Sequence, residues 1–193
     1  LAPVTPVQSD WSETPSPIAA SPQAHSVAVA YWREVARMEH ASVASFGRVA
    51  LELMRHGAPA DLIRRAHEAA LDEIHHAQFA FGIVESLTGE ANSPGPLPLG
   101  SSVAIAERLA DVAEAVVREG CIGETLAAMD AAARLPGAKG VIADALATIV
   151  DDESRHAGLA WATLKWLLAV GGEPVRARVD RLLMMRDGVV QLE

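Results

Sequence analysis

Apolar residues recur three and four positions apart through most of the 193-residue chain, the spacing that lays one stripe along one face of an α-helix. Between Ser26 and His56 the stripe reads Trp32, Val35, Glu39, Ser42, Phe46, Val49 and Leu53. After Gly57 and Pro59 it resumes as Leu62, Ala66, Ala69, Glu73, His76, Ala80, Ile83 and Leu87, which predicts a second helix to about Thr88. A glycine stop and a proline start leave room only for a short turn, so these two helices are expected to lie antiparallel. A third helix is expected from about Ser102 to Arg134, on Ile105, Leu109, Val112, Val116, Glu119, Gly123 and Leu126. Pro136 and Gly137 turn the chain into a fourth, from about Lys139 to Val170, on Ile142, Leu146, Ile149, Glu153, His156, Ala160, Thr163 and Leu167. Gly171 and Gly172 end it, and Pro174 opens a short fifth helix to about Met185 with Val175, Val179, Leu182 and Leu183 on one side.

Two stretches break the pattern. Residues 1–25 carry Pro3, Pro6, Pro15, Pro17 and Pro22 among Ser, Thr and Gln, and read as an extended arm or linker. Trp11 and Ile18 are its candidate anchors on the helices. Between Gly89 and Gly100 lie Pro94, Pro96 and Pro98. About 12 residues at ~3.1 Å each reach ~37 Å, close to the ~43 Å of the preceding helix. This connection is therefore expected to return the chain along the bundle before the third helix begins. The division that follows is an arm over 1–25, a four-helix bundle over 26–170, and a short helix and tail over 171–193.

Composition narrows the class to all-α: alanine and leucine dominate and aromatics make up 4%. A formal net charge of −9 argues against nucleic acid as a partner, since phosphate binding needs clustered Lys and Arg. The lone cysteine, Cys121, excludes an intrachain disulfide and any site built from several thiolates, and fits a reducing, cytoplasmic setting. No apolar run approaches the roughly 20 residues needed to span a bilayer. The chain starts at Leu1 without a methionine, which reads as a trimmed or processed N-terminus.

The polar positions on the stripes carry the chemistry. Glu73 and His76 form a Glu-x-x-His motif, and Glu153 and His156 form a second one 80 residues later. Glu39 precedes Glu73 by 34 residues, Glu119 precedes Glu153 by the same 34, and Asp72 and Asp152 stand before the two motif glutamates. One such motif arises easily by chance; two in register with two partner glutamates do not. Burying a single unpaired carboxylate costs several kcal/mol, and no Lys or Arg lies on the stripes to balance four. Two divalent cations would balance Glu39, Glu73, Glu119 and Glu153. Residues i and i+3 share a helix face, so each motif offers an oxygen and a nitrogen donor to one place.

With this pattern the chain resembles the ferritin-like di-iron carboxylate superfamily, which includes the rubrerythrins and ferritins, over about residues 26–170. The resemblance implies a ferritin-like four-helix bundle with one long crossover between helices 2 and 3. It implies Glu39 and Glu119 as terminal ligands, Glu73 and Glu153 as bridges, and His76 and His156 as one nitrogen ligand per metal. Asp72 and Asp152 would accept a hydrogen bond from a ligating imidazole across the bundle. Glu124, five residues after Glu119, is a further carboxylate near the site in the manner of the additional helix glutamates of rubrerythrin-like proteins. The cofactor implied is two iron ions, with manganese the alternative.

Such a centre would react with oxygen or peroxide using an external electron donor. Three functions compete: an oxidoreductase acting on a small substrate, an iron-handling protein with ferroxidase activity, and a non-catalytic metal-binding module. The chain has no Cys-x-x-Cys pair to hold a rubredoxin-type centre, and Tyr31, its sole tyrosine, stands eight residues from Glu39. The small residues Ala69, Ala80, Gly123 and Ala160 are expected to leave a cavity beside the metals, which favours the first reading. A homo-oligomer is left open. His40, His75, His56, His67, Phe46, Phe79, Trp32, Trp161 and Cys121 are read as packing or surface residues.

Overall fold

The computed structural model describes residues 4–5, 10–12, 18, 22–100, 104–186 and 189–190. Among the described residues the chain forms four long α-helices and one short one: α1 (Pro22–Arg55), α2 (Ala60–Thr88), α3 (109–134), α4 (Val141–Val170) and α5 (Gly172–Leu183). Helix α1 begins at Pro22, before the expected Ser26, because proline costs nothing in a first turn whose N–H groups are unpaired anyway. It ends where Gly57 takes φ 69° and the Ala58 N–H reaches the Leu53 carbonyl at 2.9 Å. That left-handed stop is open to glycine at no steric cost, and Pro59 then leads into α2.

Helix α3 starts at Leu109, later than the expected Ser102, which itself lies outside the described residues. The reason is a buried carboxylate on α1. Glu52 is 1% exposed, accepts the Ala106 N–H at 3.0 Å and faces Arg48 at 3.4 Å. It thereby holds residues 104–108 out of helical geometry, and Ile105 belongs to the connection. The same contacts fix direction. Arg55 donates to Glu107 at 3.2 Å and His56 Nε2 lies 3.1 Å from the Ala106 carbonyl, so α3 begins beside the end of α1. Tyr31 donates to Asp130 at 3.0 Å near the other end. The connection over 89–108 thus runs the length of the helices, as its prolines suggested.

Most of the proline-rich arm, including Pro3, Pro6, Pro15 and Pro17, lies outside the described residues. The described parts are tied to α2 and the connection: Val4–Thr5 pairs antiparallel with Ser93–Pro94, and Gln78 donates to the Asp10 carbonyl at 2.7 Å. The Ser12 hydroxyl meets Glu85. Trp11 and Ile18 pack against the buried cluster of Trp32, Ala36, Ala80 and Ile149, as the anchors they were read to be. At the far end α5 buries Val175, Val179 and Leu182 against Val112, Val117 and Leu167. Its Arg178 reaches Asp111 at 3.3 Å. Met185–Arg186 closes a two-residue ladder with Val189–Val190.

The apolar interior is divided. One cluster joins the start of α1 to the end of α2 and the start of α4; the other two gather around Phe46, Leu62 and Leu159 and around Val112, Leu164 and Val175. Between these layers, on the α2 and α4 stripes, sit Glu73, His76, Glu153 and His156, each 2% exposed or less. Among the described residues no helix is long and apolar enough to cross a membrane.

Candidate metal centre

Each of α2 and α4 delivers its Glu and His from positions three apart, so the two pairs meet face to face. His76 Nδ1 lies 3.7 Å from Glu73 of its own helix and 3.3 Å from Glu153 across the bundle. His156 Nδ1 lies 3.6 Å from Glu153 and 3.1 Å from Glu73. Helix α1 adds Glu39, with Oε2 3.9 Å from His76 Nδ1. Helix α3 adds Glu124. The donor atoms form two overlapping groups, Glu39, Glu73, His76, Glu153 and Glu73, Glu124, Glu153, His156, within each of which they lie no more than 4.8 Å apart. Glu73 and Glu153 belong to both.

The backs of the two imidazoles are held reciprocally. His76 Nε2 lies 3.0 Å from Asp152 Oδ2, and His156 Nε2 lies 3.2 Å from Asp72 Oδ2. A carboxylate only accepts, so the ring nitrogen facing it carries the proton and Nδ1 is left to face the cluster. Arg155 ties the two aspartates together, 2.5 Å from Asp152 and 3.4 Å from Asp72.

With both rings neutral, four buried atoms in the cluster have no hydrogen-bond partner: Glu73 Oε2, His76 Nδ1, Glu153 Oε2 and His156 Nδ1. An orphaned buried polar atom costs about 1–3 kcal/mol, and here the four sit among one another. A pair of cations would satisfy them together, so the donor set fits metal.

Without cations the cluster is neutralised by protons. Burial, and then the Glu73 carboxylate, hold Glu39 well above the usual carboxylate range. Burial and Glu153 push Glu124 up to about 10. Burial alone would lower the imidazoles, but the carboxylates of Glu153 and Glu73 outweigh it and raise His76 to about 11 and His156 to about 10. Burial would raise Glu73 and Glu153, yet the facing imidazoles hold both below the usual range. Two acids, two carboxylates and two imidazolium groups sum to zero charge, as four carboxylates, two neutral imidazoles and two divalent cations would.

Glu119 does not join the other expected residues. Its side chain is 55% exposed and paired with Arg48 of α1. Glu124 takes the inward place. The backbone gives the reason: over Val116–Glu124 helix α3 is wound as a π-helix, whose wider turn holds an additional residue and rotates the positions after it. Val116, Val117 and Cys121 turn inward, and Leu126, expected on the stripe, is 58% exposed. The 80-residue repeat therefore holds for α2 and α4 and fails on α3. The missed signal was a pair of helix-interior glycines, Gly120 and Gly123, within the segment. A Cβ on Gly120 would stand 2.6 Å from Ala160 Cβ, so only glycine lets α3 approach α4 this closely.

The remaining residues fall mostly as read. His67 and His75 are exposed, Trp32 is core at 3% exposure and Trp161 is half exposed. Cys121 is buried, and burial pushes its thiol up to about 11. Phe46 is core as read, and its ring meets His156 edge to face at 5.0 Å. His40 carries the Trp11 ring of the arm at 5.1 Å. Of the four small residues expected to open a cavity, Ala160 lines one of about 40 Å³ that also touches Glu124 and His156. Ala69 lines a second pocket that also reaches Asp72 and His156, and Ala80 is packed in the core.

Compared with protein-family models, with curated proteins and with solved structures, the chain matches none.

Proposed function

We propose that the chain is a ferritin-like dinuclear metal protein whose centre, carrying two iron ions, reacts with dioxygen or peroxide. The observation that supports this most is the pair of overlapping four-donor groups sharing Glu73 and Glu153, with an orphaned imidazole nitrogen in each. On this reading Glu39 and His76 would hold one ion, Glu124 and His156 would hold the other, and Glu73 and Glu153, common to both groups, would serve both. The lengthwise connection over 89–108 agrees with ferritin-like connectivity. When bound, a redox-active pair supplies electrons to an oxidant, to be replaced by an external donor.

The chain's own residues set the conditions for that chemistry. Asp72 and Asp152 fix the imidazoles, Arg155 fixes the aspartates, and the apolar layers above and below bury Glu73, His76, Glu153 and His156. Protons displaced from Glu39, Glu124 and the imidazoles when cations bind leave the same donor atoms free to ligate.

Anaerobic titration with ferrous ion, read by metal analysis after desalting, should reach two ions per chain. Stopped-flow mixing with oxygen or peroxide should then oxidise the bound iron faster than ferrous ion in buffer. Two ions without faster oxidation would leave a passive metal-binding module. Fast oxidation followed by release or accumulation of ferric iron would favour iron handling.

A further inference from the structure

We propose that the groove between α2 and α4, behind His156, binds a small monocarboxylate. Arg65 and Arg155 anchor its charge, and Ala69 and Leu159 form the floor for its apolar body. This goes beyond the redox reading and does not depend on it.

The groove has a volume of about 300 Å³, within the range of small-molecule pockets, about 300–1,000 Å³. Helix α2 contributes Arg65, Glu68, Ala69 and Asp72 to its lining. Helix α4 contributes Arg155, His156 and Leu159. Of the six metal-donor residues only His156 lines it, together with Asp72, which faces the ring's Nε2 at 3.2 Å. An occupant therefore meets the back of that imidazole and not the donor groups.

The formal charges of the groove cancel, two guanidiniums against two carboxylates, but the carboxylates are engaged and the guanidiniums are not. Both oxygens of Glu68 accept from Arg64, at 2.5 and 2.6 Å. Asp72 Oδ2 faces His156 and Arg155. Arg155 spends Nη2 on Asp72 and Asp152 and, among the described residues, has no acceptor for Nε or Nη1. Arg65 is 30% exposed, and its one carboxylate neighbour among the described residues is Asp61, at 4.0 Å. Its guanidinium reaches across to α4, where a Cβ on Gly158 would stand 3.8 Å from Nη2. Gly158 has no side chain to cover it.

That arrangement selects the occupant. A guanidinium fork matches the two oxygens of a carboxylate. A phosphate dianion would bring a second negative charge up to Glu68 and Asp72, and a neutral molecule would leave both guanidiniums unpaired. Ala69 and Leu159, 2% and 3% exposed, offer hydrocarbon to hydrocarbon.

Benzoate and hexanoate are the probes, read by NMR on the metal-free full-length chain. Each should shift the methyl resonances of Ala69 and Leu159 saturably and leave those of Val29 and Val84 in place. Benzyl alcohol, hexanol and inorganic phosphate should each bind at least about tenfold more weakly. Arg65→Gln should weaken benzoate by at least about tenfold. Arg176→Gln, the same charge change on α5, should leave it within about twofold, because a distant exposed charge is screened. Gly158→Leu, at an exposed helix position, should weaken benzoate as Arg65→Gln does, without lowering Tm, since leucine is the better helix former. Loading with cobalt(II) should leave benzoate affinity unchanged.

Absent saturable shifts in the unmodified chain would overturn the proposal. So would alcohols that bind as tightly as the acids, phosphate that binds more tightly than benzoate, or a folded Arg65→Gln or Gly158→Leu chain with unaltered benzoate affinity. Binding seen only after cobalt loading would put the carboxylate on the metal and overturn it as well. A chain that takes up no metal would refute the metal reading, and the benzoate titration would still decide on the groove.

Discussion

The Nε2–H of His76 on α2 is received by Asp152 on α4 at 3.0 Å. Each motif thus supplies the group that orients the other motif's imidazole, since Asp72 does the same for His156. Neither donor group is complete without both helices.

Loss of either aspartate should therefore be felt by the opposite helix's histidine. Asp152→Ala frees the His76 ring and Asp72→Ala the His156 ring, and each should weaken one of two cobalt(II) affinities by about 10- to 100-fold. Optical titration of the ligand-field bands separates the two steps. Equal weakening of both steps by either variant would show that the aspartates act on the bundle and not on individual rings.

The two glutamates of α3 give opposite expectations. Glu124→Ala should lower iron stoichiometry from two per chain to one, whereas Glu119→Ala should leave it at two. Glu73→Ala or Glu153→Ala should lose both ions together, since each of these residues serves both groups. Metal analysis after anaerobic loading and desalting reads all four variants.

Metal binding should be strongly pH dependent. At pH 7 His76, His156 and Glu124, raised to about 11, 10 and 10, hold their protons in the metal-free protein, and Glu39 is raised in the same direction. Filling both positions must displace about four protons. Affinity should then rise with pH until those groups lose their protons unaided, near pH 10–11, and fall as pH drops. Calorimetric titrations in buffers of different ionisation enthalpy count the protons; a count near zero would contradict the raised values.

Gly120→Ala should force α3 away from α4, because the new methyl meets Ala160 Cβ at 2.6 Å. Overpacking of this kind costs about 1–3 kcal/mol, and a chain of this size loses about 2–4 °C in Tm per kcal/mol. Thermal melts should show that fall. Ala160→Gly in the same chain should recover part of it by removing the opposing methyl.

Much of this arrangement was legible in the residues. The stripes of α2 and α4 are buried nearly as written, from Leu62 to Leu87 and from Leu146 to Leu167, because Leu, Ile and Ala at regular spacing leave one packing face. Duplicated Glu-x-x-His motifs on those stripes located Glu73, His76, Glu153 and His156, and the preceding aspartates fell where an imidazole needed an acceptor. The start of α3 was not legible, since it depends on a carboxylate 54 residues away, Glu52, meeting the Ala106 N–H. Nor was the exchange of Glu119 for Glu124. Counting by 3.6 assumes a uniform helix, and a change of winding follows from how closely Gly120 lets two backbones approach, a tertiary fact.

A protein built strictly on its 80-residue repeat would offer two interchangeable seats, filled at random and giving up electrons at the same potential. The wide turn of α3 removes that equivalence. One donor group has the arm's Trp11 docked on His40, the neighbour of Glu39, and the other has a carboxylate five residues out of register beside a cavity of about 40 Å³. Ions arriving one at a time meet unlike surroundings, so occupancy should build in a fixed order. A half-loaded protein should then be a single species with one spectrum, not a mixture of two.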